Sequence, residues 1–452
     1  MTQVAVLVPG IMGSELRLGD EVVWPGPLKS LLLAYKKMDK LMRDDLVVHD
    51  VIRNYTILSE QYQAAINDLG KCGFRETDSP PTLFVCPYDW RRSVAHCAET
   101  LADKLDEVVA FHGAGVEISL IAHSMGGIVS RYYLESSDFD ARAGHGRVRR
   151  LLALGTPHRG SPLALTAAIG KEKRLWLSAE QVKQLCSDPR FPSLYQLLPP
   201  PGEPFAWNDS AAAEFSSVDV YDDATASKLG LVKANLDAAR AFHAKLNIAK
   251  RPAAVRYFFF AGTRQTTISS VRVFASGAGL DAERAEIEDA GDGTVPIWSA
   301  MMTGVQCQPV GGEHGEIYKA RDLRRTLAVL LGKKGVLAPP PGELVEVALR
   351  ERVVNPNAEV HVALTFTSAL NQVDGELRVQ RILLDPDDNP VGHAPAGLGQ
   401  TYPIRYAGLA AEKLGLTLKA PAVRGVYRVG FFPKGAAEPA GSDELFVQDP
   451  TP

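Results

Sequence analysis

"LIAHSMGGIV", residues 120–129, decides the fold. The apolar run that leads into it, with Val116, Ile118, Leu120 and Ile121, reads as a strand of a parallel sheet covered on both faces. The run breaks at His123 and Ser124, and from Gly126 onward Ile128, Val129, Tyr132, Tyr133 and Leu134 recur at helical spacing instead. Ser124 therefore falls on a very tight strand-to-helix turn, which needs small residues before and after the pivot so that strand and helix can approach. Ala122 and Gly126 fill those two places. This is a nucleophile elbow in an A-x-S-x-G form, a strained turn that lifts a serine hydroxyl above the sheet edge.

Outward from the elbow, short apolar runs alternate with helical patterns, the sign of parallel β-α-β units. Strands are expected near 3–8, 82–86, 116–121, 148–154, 255–261 and 304–309, and helices near 57–69, 93–111, 125–136 and 316–331. The interval between the fourth and fifth strands is too long for a plain crossover helix, so residues of about 160–250 form an insertion. Ser178 and Gln181 make a capping box within it. An insertion over the carboxyl edge of a parallel sheet reads as a cap or lid. The proline run in "VLAPPPGEL" (336–344) then changes the texture for good, and alternating β-type segments with turn residues between them follow. The expected architecture is an α/β-hydrolase over 1–337, a mostly parallel sheet with helices on both faces and a cap insertion. An Ig-like all-β sandwich over 338–452 follows it.

The totals bound the partners. A length of 452 residues favours two domains. A net charge of −4, from 49 basic and 53 acidic side chains, leaves no electrostatic footprint for nucleic acid. No run approaches the roughly 18 consecutive apolar residues of a membrane span, and "MTQVAVLVPG" enters a strand without a secretory pattern, so a cytoplasmic location is expected, with non-classical export as the alternative. The five cysteines are scattered and odd in number, which suggests reduced thiols and no zinc site.

A serine hydroxyl becomes a useful nucleophile when an imidazole takes its proton, and the imidazole needs a carboxylate to hold its tautomer. In hydrolases of this topology the chain order is Ser, then Asp or Glu, then His. Asp292, between glycines in "EDAGDGTVPIWSA", and His314, in "GGEHGEIYK", follow Ser124 in that order, each in a loop past a strand and thus at the same sheet edge. The oxyanion needs two backbone N–H donors. Met125, after the nucleophile, is expected to give one, and the turn in "VPGIMGSEL" the other, from Ile11 with Met12 as second choice. Neither a metal nor an organic cofactor is implied. His49, His112, His123 and His158 read as ordinary histidines.

Together "VLVPGIMGSEL", "PYDWRRS", "AHSMGG", "GTPHRGSP", "PSLYQLLPP", "GDGTVP" and "GGEHGEIY" resemble the ordered signature of the lecithin:cholesterol acyltransferase family over residues 1 to about 330. The resemblance implies nucleophile Ser124, acid Asp292, base His314 and oxyanion donors near Ile11 and Met125. It also implies cleavage of a lipid acyl ester through an acyl-enzyme, followed by transfer to water or an alcohol. Trp90 in "PYDWR" and Met12 are then candidates to line the acyl site. For Trp90 the competing reading is a packed ring beside an Asp89–Arg91 pair that pins the loop.

In "WPGPLKSLLLAYKKMDKLM" (24–42) a basic amphipathic helix is expected from Pro27. Two uses fit it: covering the core, or lying on an anionic membrane surface through Trp24, Leu28, Leu31, Leu32 and Tyr35. The C-terminal sandwich is expected to bind or assemble with a protein partner, a stabilising appendage being the alternative. The functional expectation is a phospholipase- or lipase-type serine hydrolase. Its rivals are an acyltransferase with the same triad, a non-catalytic lipid- or protein-binding scaffold, and a toxin-like phospholipase with an immunity-type partner.

Overall fold

A computed structural model describes residues 2–26, 35–54, 61–208, 216–332, 345–384, 390–393 and 399–448. The chain begins with β1 (Gln3–Val8), and then makes a small antiparallel sheet from β2 (Ser14–Leu18), β3 (Glu21–Trp24) and β4 (Val47–Val51). Next come β5 (Leu83–Val85), β6 (Glu117–His123), β7 (Val148–Leu154), β8 (Ala206–Asn208) and β9 (Arg256–Thr263). The long hairpin of β10 (Gln265–Ser276) and β11 (Gly279–Gly291) separates β9 from β12 (Gln306–Gly311). Six of these strands form the central sheet in the order β12-β9-β7-β6-β1-β5, every pair parallel.

Period-two alternation along these strands explains why both faces are covered. Val4, Val6 and Val8 of β1 join one core, while Ala5 and Leu7 join the other; Phe259 and Phe260 of β9 divide in the same way. The helices Val94–His112 and Met125–Glu135 pack into the first core. Tyr62–Lys71 and Arg321–Leu330 pack into the second. The first of these begins at Ser93, whose hydroxyl accepts the His96 N–H, and stops at Gly113 with φ +75°. This is an α/β-hydrolase sheet.

Residues 163–245 carry the helices Leu163–Ala168, Ala179–Cys186, Ser193–Gln196, Asp223–Leu229 and Lys233–Lys245, with the expected box at Ser178 and Gln181 in place. The hairpin β10–β11 was not foreseen. Much of β11 is exposed and its residues are mainly charged or small, so it lacks the apolar alternation that marks a half-buried strand.

The amphipathic segment after β3 also differs from expectation. Trp24 and Tyr35, expected as membrane contacts, are 0% and 5% exposed. Trp24 donates its indole N–H to the Met12 carbonyl, and the Tyr35 hydroxyl donates to that of Val23. Both are core residues and offer nothing to a lipid surface. Among the described residues of this segment Met38–Leu41 is helical, while Leu28, Leu31 and Leu32 lie outside the described residues.

Among the described residues the regular elements of the C-terminal region are all strands, β13 (Val345–Leu349), β14 (Val353–Val354), β15 (Glu359–Leu384), β16 (Pro390–His393), β17 (Gln400–Lys419), β18 (Gly425–Pro433) and β19 (Gly441–Val447). "AEVHVALTF" and "LRVQRILL", read from sequence as two strands, are parts of the single 26-residue β15. Its first half pairs with β13, its second half with β18, and β17 runs along both. Register breaks between Thr365 and Gln372 mark the change of course. Val347, Leu364, Leu377 and Val429 belong to a separate core inside this region. The expected boundary at 338 lies outside the described residues.

Candidate active site

Ser124 follows β6 directly with φ +52° and ψ −125°, a backbone conformation that few side chains adopt and that marks a strained pivot. Its amide N–H is fixed by the Leu154 carbonyl of β7 at 2.9 Å. The following glycines are there for close approach: a Cβ at Gly126 would lie 2.4 Å from the Pro9 carbonyl oxygen, and one at Gly127 2.0 Å from Thr156 Oγ1. Only bare backbone lets the helix start this close to β1.

The structure brings the three separated polar residues together. Ser124 Oγ stands 2.9 Å from His314 Nε2, and His314 Nδ1 stands 2.8 Å from Asp292 Oδ2. Asp292 is fully buried, and its other oxygen accepts the backbone N–H groups of Thr294 at 3.0 Å and Val295 at 2.7 Å. That loop therefore sets the carboxylate's orientation and leaves one oxygen for the imidazole. The Asp292 carbonyl accepts the His314 N–H at 2.8 Å, so acid and base loops are also tied through the main chain.

The turn after β1 closes by a Gly13 N–H to Gly10 carbonyl bond of 3.1 Å, with Met12 at φ +62°. A Cβ on Gly10 would stand 2.9 Å from Ser124 Cβ, so this turn lies against the nucleophile. Ile11 and Met12 line the cavity above Ser124. Met125 opens its helix, where the first amide groups have no partner inside the helix. These are the positions expected for oxyanion donors.

Sequence reasoning passed over His123. Its Nε2 is 2.9 Å from the His314 carbonyl and its Nδ1 2.9 Å from the Tyr62 hydroxyl, which in turn accepts the Gly10 N–H at 2.7 Å. A carbonyl only accepts, so Nε2 carries the proton, Nδ1 accepts from Tyr62, and every group in the chain is satisfied. Burial, with the nearby His314 charge, pulls His123 down to about 3, which keeps it neutral. The pairing joins the Gly10 turn to the base loop. The signal for it was a tyrosine some 60 residues upstream, beyond the reach of local pattern.

The cavity holds about 1140 Å³ and is walled by the sheet edge, the cap and the C-terminal region. Leu163, Val182, Leu185, Phe191, Leu194 and Leu197 supply much of the apolar side. Trp90 lines it too, almost fully buried and edge-on to Trp24 at 5.3 Å, and its indole N–H has no hydrogen-bond partner in the protein. Beside it Arg91 grips Asp89 through Nε at 2.8 Å and Nη2 at 2.7 Å, so loop pinning and cavity lining coexist. Among the described residues no three His, Cys, Asp or Glu side chains gather as a metal site, and no helix is long and apolar enough to cross a membrane.

Residues 52–234 match the family model described as "Lecithin:cholesterol acyltransferase". No curated protein matches the chain. Among solved structures, "The crystal structure of Tle4-Tli4 complex" is 16% identical, covering 74% of this chain and 98% of its own, with a TM-score of 0.49. The sporulation control protein Spo0M from Bacillus subtilis is 15% identical over 24% of this chain and 50% of its own, with a TM-score of 0.14. Likenesses this distant say nothing of activity.

Proposed function

We propose, for a chain whose residues 52–234 belong to the lecithin:cholesterol acyltransferase family, a serine hydrolase that cleaves lipid acyl esters of the phospholipase or lipase type. The observation that carries this is the hydrogen-bonded line from Ser124 Oγ through His314 to Asp292 at the floor of a large, partly apolar cavity. Family membership supports lipid ester chemistry in general; the residue roles rest on geometry.

Ser124 Oγ attacks the ester carbonyl while His314 Nε2 takes its proton. The imidazolium so formed is stabilised by Asp292, and the oxyanion by the amides of Met125 and Ile11. Collapse expels the alcohol, which takes its proton from His314 and leaves an acyl-Ser124. Water, deprotonated by His314, then attacks the acyl carbonyl, and the fatty acid leaves as Ser124 Oγ takes that proton back from His314. Transfer to an alcohol instead of water is the second reading. The family description favours it, and it needs no further residue in this line.

Acyl release from phospholipid vesicles and from a short soluble ester, by the wild type and by Ser124→Ala, tests the reading. Serine-dependent release from vesicles is expected. Activity on the short ester alone would reduce the assignment to a general esterase, and activity that survives Ser124→Ala would remove it.

A further inference from the structure

The base loop is held from outside its own domain. Glu313 and Glu316 flank His314 in chain order, and both turn to one guanidinium, that of Arg352, between β13 and β14. Arg352 Nη2 is 2.9 Å from Glu313 Oε2, 3.0 Å from Glu316 Oε1 and 3.1 Å from Asp443 Oδ1 on β19. Its Nε also donates to Asp443 Oδ2 at 3.2 Å. Asp443 is in turn fixed by the N–H groups of Leu349 and Glu444, at 2.9 and 2.8 Å, and the Arg352 carbonyl accepts the Phe446 N–H at 2.7 Å. The guanidinium is thus bolted to the C-terminal sheet and reaches across to both sides of the base. Trp176 of the cap meets Phe446 edge-on at 6.0 Å, so the same sheet also touches the cap.

We infer that the C-terminal sheet is a working part of the active site, and that Arg352 is the positioning residue through which it holds His314 in line with Ser124 and Asp292. This rests on the esterase reading for its catalytic consequence, though not for the contact itself.

Charge makes the contact more than packing. Burial pushes the Glu313 carboxyl up to about 8 against the pull of Arg352. Burial also opposes ionisation of Glu316, but Arg352 and Lys319 outweigh it and hold that carboxyl at about 2. Glu313 and Glu316 on the base loop and Asp443 on β19 face Arg352; Lys319 sits by Glu316, and Glu346 on β13 lies near Glu316, Asp443, Lys319 and Arg264, while Asp292 and the neutral His123 ring face His314. Without the guanidinium, the carboxyls of Glu313, Glu316 and Asp443 would lose the cation they share, with Lys319 and Arg264 left nearby. Those that stay ionised would repel one another and open the loop, and their field would favour the imidazolium over the neutral base.

The test uses the full chain carrying Arg352→Met, which keeps length and loses charge. On a short soluble ester, kcat is expected to fall on the order of 100-fold, as for a small misplacement of a reacting group, with KM within about two-fold. The acidic limb of kcat/KM, which follows deprotonation of His314, is expected to move up by about one pH unit. The His314 ring titration, followed by NMR with selective histidine labelling, is expected to move the same way. Arg352→Lys keeps the charge but not the fork, and is expected to lose less kcat at unchanged KM. A folded Arg352→Met with wild-type kcat, limb and ring titration would overturn the inference; if that variant does not fold, wild-type kcat and limb in Arg352→Lys would do so. Should the wild type cleave no ester and leave a fluorophosphonate unreacted, the esterase reading fails, and the ring titration still decides whether Arg352 governs His314.

Discussion

The Tyr62 hydroxyl joins His123 to the Gly10 amide, donating to one at 2.9 Å and accepting from the other at 2.7 Å. Since His123 also meets the His314 carbonyl at 2.9 Å, one phenol connects the turn beside the nucleophile to the loop of the base. Tyr62→Phe leaves two buried groups without this partner, at a cost of about 1–3 kcal/mol. Urea unfolding should show that loss, and kcat on a soluble ester should fall several-fold with little change in KM.

Asp292→Asn is expected to keep the fold, because Oδ1 still accepts the Thr294 and Val295 amides. An amide at the other position favours the wrong imidazole tautomer, and activity should drop on the order of 10⁴-fold. Loss below about ten-fold in steady-state assays would mean that Asp292 does not orient the base.

Glycine substitutions should separate stability from activity. Gly126→Ala drives a methyl to 2.4 Å from the Pro9 carbonyl oxygen, which is backbone and cannot yield cheaply. It should cost about 3 kcal/mol or prevent folding. Gly10→Ala meets Ser124 Cβ at 2.9 Å and His123 Nδ1 at 3.3 Å, so its effect on kcat should exceed its effect on melting temperature.

Arg131 and Glu135 form a pair that is almost wholly buried, at 2.8 Å. Arg131→Met should destabilise by about 3–5 kcal/mol, because Glu135 is left with an uncompensated charge. Arg131→Met with Glu135→Leu should recover most of it, as a double-mutant cycle in urea would reveal.

Acid should unfold the protein through its buried imidazoles. Burial lowers His123 to about 3, His243 to about 4, and His158 well below its usual value. Each is neutral in the native state, whereas the unfolded chain binds a proton near pH 6.5. Their contribution is therefore complete above about pH 6.5 and is lost as pH falls through the interval below it. The midpoint of urea unfolding should drop between pH 7 and 4.5. His158→Leu should shrink that drop, since neither nitrogen of His158 has a hydrogen-bond partner in the protein.

Local patterns reveal what local forces determine. The elbow at Ser124 was legible because a strand, a pivot and small neighbours sit within a few residues. His314 could be placed because it follows β12, and loops after parallel strands gather at one edge; Asp292 instead follows the antiparallel β11, which returns the chain to the end of β9, where a Cβ on Gly262 would stand 2.5 Å from Asp292 Cβ. Residues 24–42 read as an amphipathic helix, but periodicity does not say whether protein or lipid covers an apolar face, and Trp24 and Tyr35 are buried in the core. The β10–β11 hairpin escaped because its charged outer strand has little buried alternation. Arg352 escaped for a different reason: its meaning lies in Glu313, Glu316 and Asp443, brought together by tertiary folding from tens of residues away.

The strand order has a consequence for synthesis. β5, β1, β6 and β7 are neighbours in the sheet and all precede residue 155, whereas β9 and β12 add to one side only after residue 255. A chain emerging from the ribosome can thus assemble four strands, with the Ser124 elbow at their edge, before the loops of Asp292 and His314 exist. The nascent protein carries its serine early and unarmed, and a region made after both loops, with Arg352 on it, meets the base loop last of these three.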